Sequence, residues 1–232
     1  MKSTRLPKRS NVLGAYPTSS TKRVIQRGQR GLQERLIASE RDSRFFDGER
    51  NYGYGGLKYD GRWQNVAESF INKFNLHRYS RILQIQTEKG FLIHEFGKIL
   101  GQDSILGTED SNYALEHLHG FASGRVLLAS PVTLPFPDNT FDLVICLGVT
   151  YTQNLGGAVA VLREIERVSR GASFITVANA ESERDHELMR EWSLLGNLIF
   201  SEEDWLTIFH YAGFTGSYDL VNAESLGLAF ND

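Results

Sequence analysis

Two hydrophobic rhythms alternate along this chain. Short, nearly continuous apolar runs at 82–85, 104–109, 125–129, 141–147 and 172–178 read as buried strands bounded by turns. Between them, apolar residues recur at helical spacing. Over 63–75 these are Trp63, Val66, Ala67, Phe70, Ile71 and Phe74, one face of an amphipathic helix. The same pattern predicts helices over 91–100, 112–119, 155–168, 181–195 and 202–212, and a short one within 32–44. Ser111 and Ser201 stand where N-caps belong, with Asp204 completing a capping-box-like pattern. Gly101 and Gly213 stand at C-terminal ends. Residues 216–222 and 226–230 read as a closing antiparallel pair.

Strands alternating with helices predict an α/β, doubly wound, mainly parallel sheet with right-handed crossovers. Ligands in such sheets bind beyond the carboxyl ends of the strands, where the strand order reverses. Those ends are the turn 86–90, the acidic pair Glu109-Asp110, the segment 129–133 and the loop 148–154. A ligand-cradling turn uses glycines so that backbone N–H groups approach the ligand. The turn after 82–85 instead carries Gln86, Thr87 and Glu88 before its only glycine, Gly90.

Charge divides the chain. A length of 232 residues at 41% hydrophobic suits one sizeable domain plus an extension. Eight Lys and Arg residues lie between Lys2 and Arg30 with no acid before Glu34, while the whole chain carries −3. The expected organisation is a basic N-terminal arm and short helix over 1–44, then an acidic domain over 45–232. Pro7, Gly14, Pro17 and the run Ser19, Ser20, Thr21 argue against a helix in the arm. Such a segment is ordered only by docking on a surface. The body, an acidic face of a protein partner, a membrane surface or nucleic acid would each serve. The arm lacks the interleaved aromatics of a nucleic-acid binder.

The single cysteine, Cys146, lies in an apolar run and has no intrachain partner, which points to an intracellular protein. No apolar run approaches the roughly 18 residues of a membrane span. No apolar h-region follows the basic start, so no secretory signal is read there. The Arg/Ser-rich, acid-poor start is similar to an organelle transit segment. The expected location is intracellular, on the cytoplasmic side or in an organelle. Residues 45–63 are dense in glycine and aromatics. They form either an ordered cap held by its rings or a substrate wall in which Tyr52, Tyr54, Tyr59, Asp60 and Arg62 present hydrogen-bonding groups. The six histidines are scattered; His117 and His119 fall on different helix faces, and no metal site is expected.

Three pieces, in order, carry a resemblance. They are Ile-Leu-x-Ile-x-x-x-Lys-Gly-Phe-Leu from Ile82, Gly-Thr-Glu-Asp-Ser-x-Tyr-Ala-Leu-Glu from Gly107, and Leu-Pro-Phe-Pro-Asp-Asn-Thr-Phe-Asp-Leu-Val from Leu134. Together they resemble the class I S-adenosylmethionine-dependent methyltransferases. The run Leu-Arg-Glu-Ile-Glu-Arg-Val-Ser-Arg-Gly from Leu162 and Tyr-Gly-Gly-x-x-Tyr-Asp-Gly-Arg-Trp from Tyr54 are similar to a small-molecule-modifying branch of that family. The resemblance covers about 45–220 and implies a Rossmann-like methyltransferase fold.

It also implies a cofactor site. The family pattern places an acid at Gln84 and glycines at Gln86, Glu88 and Gly90, of which only Gly90 matches. The acid for the cofactor ribose falls on Glu109, and the polar residue near the adenine on Ser130. The loop 148–154 would face methyl donor and substrate, with Tyr151 where a base is expected. Side chains at 86 and 88 occupy the donor's space, and Gln84 removes the partner of its ammonium group. Glu88 places a negative charge beside its carboxylate. Like charges about 4 Å apart at an effective dielectric of about 20 repel by roughly 4 kcal/mol, near a thousandfold in affinity.

Two functions follow as expectations. The first is a methyltransferase-fold pseudoenzyme with a degenerate site and no cofactor, a structural subunit anchored in a larger assembly by its basic arm. The alternative is an active S-adenosylmethionine-dependent methyltransferase acting on a small molecule, with Tyr151 or Asp60 as proton acceptor.

Overall fold

The computed structural model describes residues 6–17, 22–101 and 104–231. Its strands are β1 (Lys8–Arg9), β2 (Arg23–Ile25), β3 (Ile82–Ile85), β4 (Ile105–Glu109), β5 (Val126–Leu128), β6 (Phe141–Cys146), β7 (Ser169–Ala178), β8 (Ser217–Val221) and β9 (Leu228–Phe230). Its helices are α1 (Leu32–Ser39), α2 (Ser43–Phe46), α3 (Gln64–Phe74), α4 (Phe91–Leu100), α5 (Asn112–Glu116), α6 (Leu155–Val168), α7 (Glu183–Trp192) and α8 (Glu202–Ala212).

Seven strands form one wholly parallel sheet in the order β1-β8-β7-β6-β3-β4-β5. The chain moves outward from β3 to β4 and β5, then returns to lay β6 on the other side of β3. That reversal opens a crevice at the carboxyl ends of β3 and β6. Strand alternation feeds two cores. Leu83, Ile85, Val144, Cys146 and Ile175 pack under Leu162 and Ile165 of α6 and Trp205 and Phe209 of α8. Ile82, Leu143, Ile145 and Phe174 face Phe70 of α3 and Phe96 of α4. Each such fully buried side chain is worth about 1.5–3 kcal/mol. The Trp205 indole N–H donates to the Ala178 carbonyl at 2.7 Å, so its polar atom is satisfied inside the core.

The expected caps form. Ser111 accepts from Ala114 N–H and Ser201 from Asp204 N–H. Gly213 takes the left-handed conformation after α8. The Leu134 and Leu162 motifs meet in space. Leu134 N–H donates to Glu164 at 2.6 Å, and Arg167 reaches the carbonyls of Leu134 and Phe136 and the Asp138 carboxylate. Both signatures therefore fix the loop that leads into β6.

The closing antiparallel pair does not form. β8 runs parallel to β7, from Phe174↔Ser217 to Ala178↔Val221. β9 leaves the sheet and pairs in parallel with β2. The arm is the physical reason. β1 takes the outer edge of β8, with Lys8 N–H on Gly216 O at 3.1 Å and Ser10 N–H on Tyr218 O at 2.8 Å. A turn at 222–226, closed by Ser225 N–H on Asn222 Oδ1 at 2.8 Å, steers the chain away. The body thus supplies the surface on which residues 8–9 and 23–30 dock. Arg9 pairs with Glu202 at 3.3 Å and Arg27 with Glu187 at 2.8 Å. Lys2, Arg5 and Ser19, Ser20 and Thr21 lie outside the described residues.

The 45–63 stretch is a compact loop over the crevice. Phe46 is fully buried, and Tyr54 N–H donates to Phe45 O at 2.9 Å. Gly53 is required there, because a Cβ would lie 1.9 Å from that carbonyl oxygen. Lys89 Nζ pins the loop to the turn after β3 through both oxygens of Asp47, at 2.7 and 2.6 Å, and Leu57 O at 3.1 Å.

Candidate ligand cavity

The turn after β3 keeps a glycine-type backbone without the glycines. Gln86 and Glu88 have φ of +53° and +54°, and Gly90 +75°. L-residues pay about 1–2 kcal/mol each to sit in that region. Gln86 recovers part of this by donating to both Asp110 oxygens at 2.9 Å. Gly90 has a second reason to be glycine, since a Cβ would fall 2.3 Å from Ala122 Cβ. Gln84 is buried in β3, and its Oε1 has no hydrogen-bond partner.

Glu109 ends β4 fully buried, and both its oxygens are engaged. Oε1 accepts from Arg41 Nη2 at 2.8 Å, Asp110 N–H at 3.0 Å and Ser111 N–H at 2.9 Å. Oε2 accepts from Glu88 N–H at 2.6 Å. Arg41 follows α1, and its guanidinium lies 5.6 and 5.5 Å from the ring centroids of Phe45 and Phe46. Its Nε sits 3.3 Å from Asp110, and Ser111 Oγ donates to its main-chain carbonyl at 2.6 Å. Burial works against this cation, but Glu109 and Glu88 outweigh it and raise the Arg41 pKa. Sequence reasoning missed Arg41. Its partner lies 68 positions away and no local pattern signals the pairing.

Glu88 points its carboxylate at Tyr54, whose hydroxyl donates at 2.5 Å. Burial lifts the Glu88 pKa above its ordinary 4.5, and Arg41 and Tyr54 only partly offset this. A carboxyl group with a raised folded-state pKa favours folding when protonated. That contribution is complete below pH 4.5 and is lost as the pH climbs through the raised value. Glu88→Gln cannot ionise and removes the loss. Denaturant unfolding from about pH 4 to 8 should show the wild type falling relative to the variant as pH rises. Parallel curves would contradict the assignment.

A cavity of about 890 Å³ opens against this turn, beneath the 45–63 loop. Of the expected substrate-wall residues, Tyr54 and Arg62 line it, as do Asp60, Tyr151, Gln86 and Glu88. Tyr52 and Tyr59 are not among its lining residues. Tyr59 instead donates to Glu95 at 2.5 Å and stacks on His119 with centroids 4.1 Å apart. Ser130 is exposed in the turn after β5, where its Oγ accepts from Val132 N–H at 3.4 Å, and it does not line the cavity. Asp60 is ion-paired with Arg62, which holds its pKa below the ordinary value. Tyr151 is pushed up to about 12 by burial and then by the Glu88 charge. Cys146 is likewise driven to about 12 by burial, an inert core thiol. Among the described residues no cluster of His, Cys, Asp or Glu could hold a metal, and no helix is long and apolar enough to cross a membrane.

Residues 84–176 match the family model of the methyltransferase domain. This span runs from β3 through β7 and contains the turn, Glu109 and Tyr151. Over that span the chain is similar to a methyltransferase domain, the family that the sequence motifs resemble. Solved structures agree on the fold. The [4+2]-cyclase SpnF matches with a TM-score of 0.53 at 17% identity, over 84% of this chain and 75% of that one. The YcgJ protein of Bacillus subtilis gives 0.50 at 18%, over 63% and 66%. A chain of the complex of the Haloferax volcanii Trm112 methyltransferase activator gives 0.50 at 18%, over 66% and 73%. No curated protein sequence matches. The matched span thus covers the strands that flank the crevice, while β8, the arm with β1, Arg41 and the 45–63 loop lie outside it.

Proposed function

We propose that this methyltransferase-fold chain is a non-catalytic accessory subunit of a larger assembly, its cofactor half closed by its own side chains. The observation that carries this is the Arg41–Glu109 pair. The carboxylate that the family uses for the cofactor ribose already accepts four hydrogen bonds from the protein. As arranged, the residues do not fit S-adenosylmethionine. Glu88 and Gln86 fill the turn with side chains, and the Glu88 carboxylate adds a repelling charge. A fold can outlive one activity and serve another, and SpnF is a [4+2]-cyclase on this fold.

The arm contributes to the anchoring role as a docked element. Lys8 and Lys22 remain exposed on it and suit an acidic protein face better than nucleic acid, since stacking aromatics are lacking. The Haloferax volcanii chain with its Trm112 activator is a precedent for assembly on this fold.

An active methyltransferase on a small molecule is the second reading, favoured by the cavity that abuts the turn. Its proton acceptors would be Tyr151 or Asp60. Tyr151 at about 12 stays protonated at neutral pH, and Asp60 is neutralised by Arg62. Neither is tuned to accept a proton near neutrality. Thermal unfolding with and without S-adenosylmethionine separates the readings. An unchanged midpoint at about 1 mM cofactor is expected, whereas a cofactor at a hundred times its Kd would add about 2.7 kcal/mol. Size-exclusion of extract from its own cells tests the subunit role. Elution as a free 232-residue monomer would count against it.

A further inference from the structure

We propose that Arg23, Arg30 and Arg50, gathered round the Trp192 ring in the cavity wall, bind the phosphate groups of a small phosphorylated ligand. Their guanidinium carbons lie 5.3, 5.0 and 5.1 Å from the Trp192 ring centroid. They come from β2, from the turn after it and from the loop after α2, and all line the cavity with Trp192.

Among the described residues no carboxylate neutralises them: none of the three forms an ion pair, although the chain holds 28 acids against 25 Lys and Arg. Glu224 lines the same cavity and pairs with none of them. Their partners are carbonyl oxygens. Arg23 donates to Leu226 O at 3.1 Å, Arg30 to Trp192 O and to Arg50 O at 3.3 Å, and Arg50 to Gly53 O at 2.7 Å. These contacts orient the guanidiniums without cancelling their charge. Each guanidinium carries five N–H donors, so donors remain for a ligand.

Burial and mutual repulsion both act on these cations. Arg30 is pushed down to about 10 by burial first and then by Arg50 and Arg35. Arg50 is lowered by burial and then by Arg23. An anion relieves this repulsion, and the forked donors of arginine match phosphate oxygens in pairs. The concave wall favours a small molecule over a macromolecular surface. Tyr16, Trp63 and Tyr54 line the same cavity and offer ring faces for a base or sugar. None of the three arginines touches Glu109, so the inference does not depend on whether S-adenosylmethionine binds.

Calorimetric titration of the full chain with inorganic pyrophosphate, ADP, UDP and uridine tests it. A phosphate-bearing probe should bind saturably, and uridine should not. Arg23→Gln/Arg50→Gln should weaken that binding by about tenfold or more. Arg50→Gln alone serves if the double variant fails to fold, because Arg50 is exposed and its side chain donates one hydrogen bond among the described residues, to Gly53 O. ADP or UDP binding tighter than pyrophosphate marks a phosphate ester, and equal binding a free phosphate anion; either supports the site. No binding of any phosphate probe at about 1 mM to the folded wild type, or equal affinity in wild type and variant, overturns it.

Discussion

Arg41→Ala should be the most damaging single substitution in the cofactor half, lowering stability by about 3–5 kcal/mol. The loss comes less from the attraction removed than from the charge left behind. Glu109 is fully buried, and without Arg41 its carboxylate keeps only the three backbone N–H donors of Glu88, Asp110 and Ser111. Arg41→Lys should do less harm, since it keeps the charge while losing the planar fork. The deficit of Arg41→Ala should shrink in acid. Burial already raises the Glu109 pKa above its ordinary 4.5, and loss of the cation raises it further, so folding favours the protonated form and the penalty fades as the pH falls through the raised value towards 4.5. Denaturant unfolding of the three proteins at neutral and acidic pH measures this. A variant within about 1 kcal/mol of wild type at neutral pH would mean that the pair is not a closed, desolvated unit.

Deleting residues 1–31 should cost a comparable amount. The arm covers the β8 edge through β1 and gives β9 its only strand neighbour among the described residues, through β2. Val12 and Ile25 are buried against the two cores they join, at about 1.5–3 kcal/mol each. A loss of about 4 kcal/mol corresponds to a fall of roughly 8–16 °C in melting temperature for a domain of this size. The bare β8 edge should also promote self-association. Calorimetry with light scattering would detect both effects. An unchanged melting temperature and a monodisperse truncated chain would show that the arm is a free tether.

The scaffold was legible in the sequence because its periodicities are strong and local. α4, α6 and α8 have the expected boundaries, and β3 runs over 82–85 as read. The Ser111 and Ser201 caps depend on neighbours within three residues and were equally plain. The arm was not legible as part of the sheet. A two-residue strand, Lys8–Arg9, has no apolar alternation to betray it. Its effect on the chain terminus was hidden for the same reason, so residues 216–230 looked like a hairpin. In the crevice, the unusual turn was visible as Gln86 and Glu88, because a missing glycine is a local fact. Arg41 was not, because a salt bridge across 68 residues leaves no periodic trace. The ring of arginines round Trp192 shares that difficulty, since its members lie at 23, 30, 50 and 192.

Equilibrium titration of S-adenosylmethionine into the folded full-length chain tests most directly whether the cofactor half is closed. The arrangement of Arg41, Glu88 and Glu109 predicts no saturable binding up to about 1 mM. Saturable binding with a Kd in the micromolar range would contradict it.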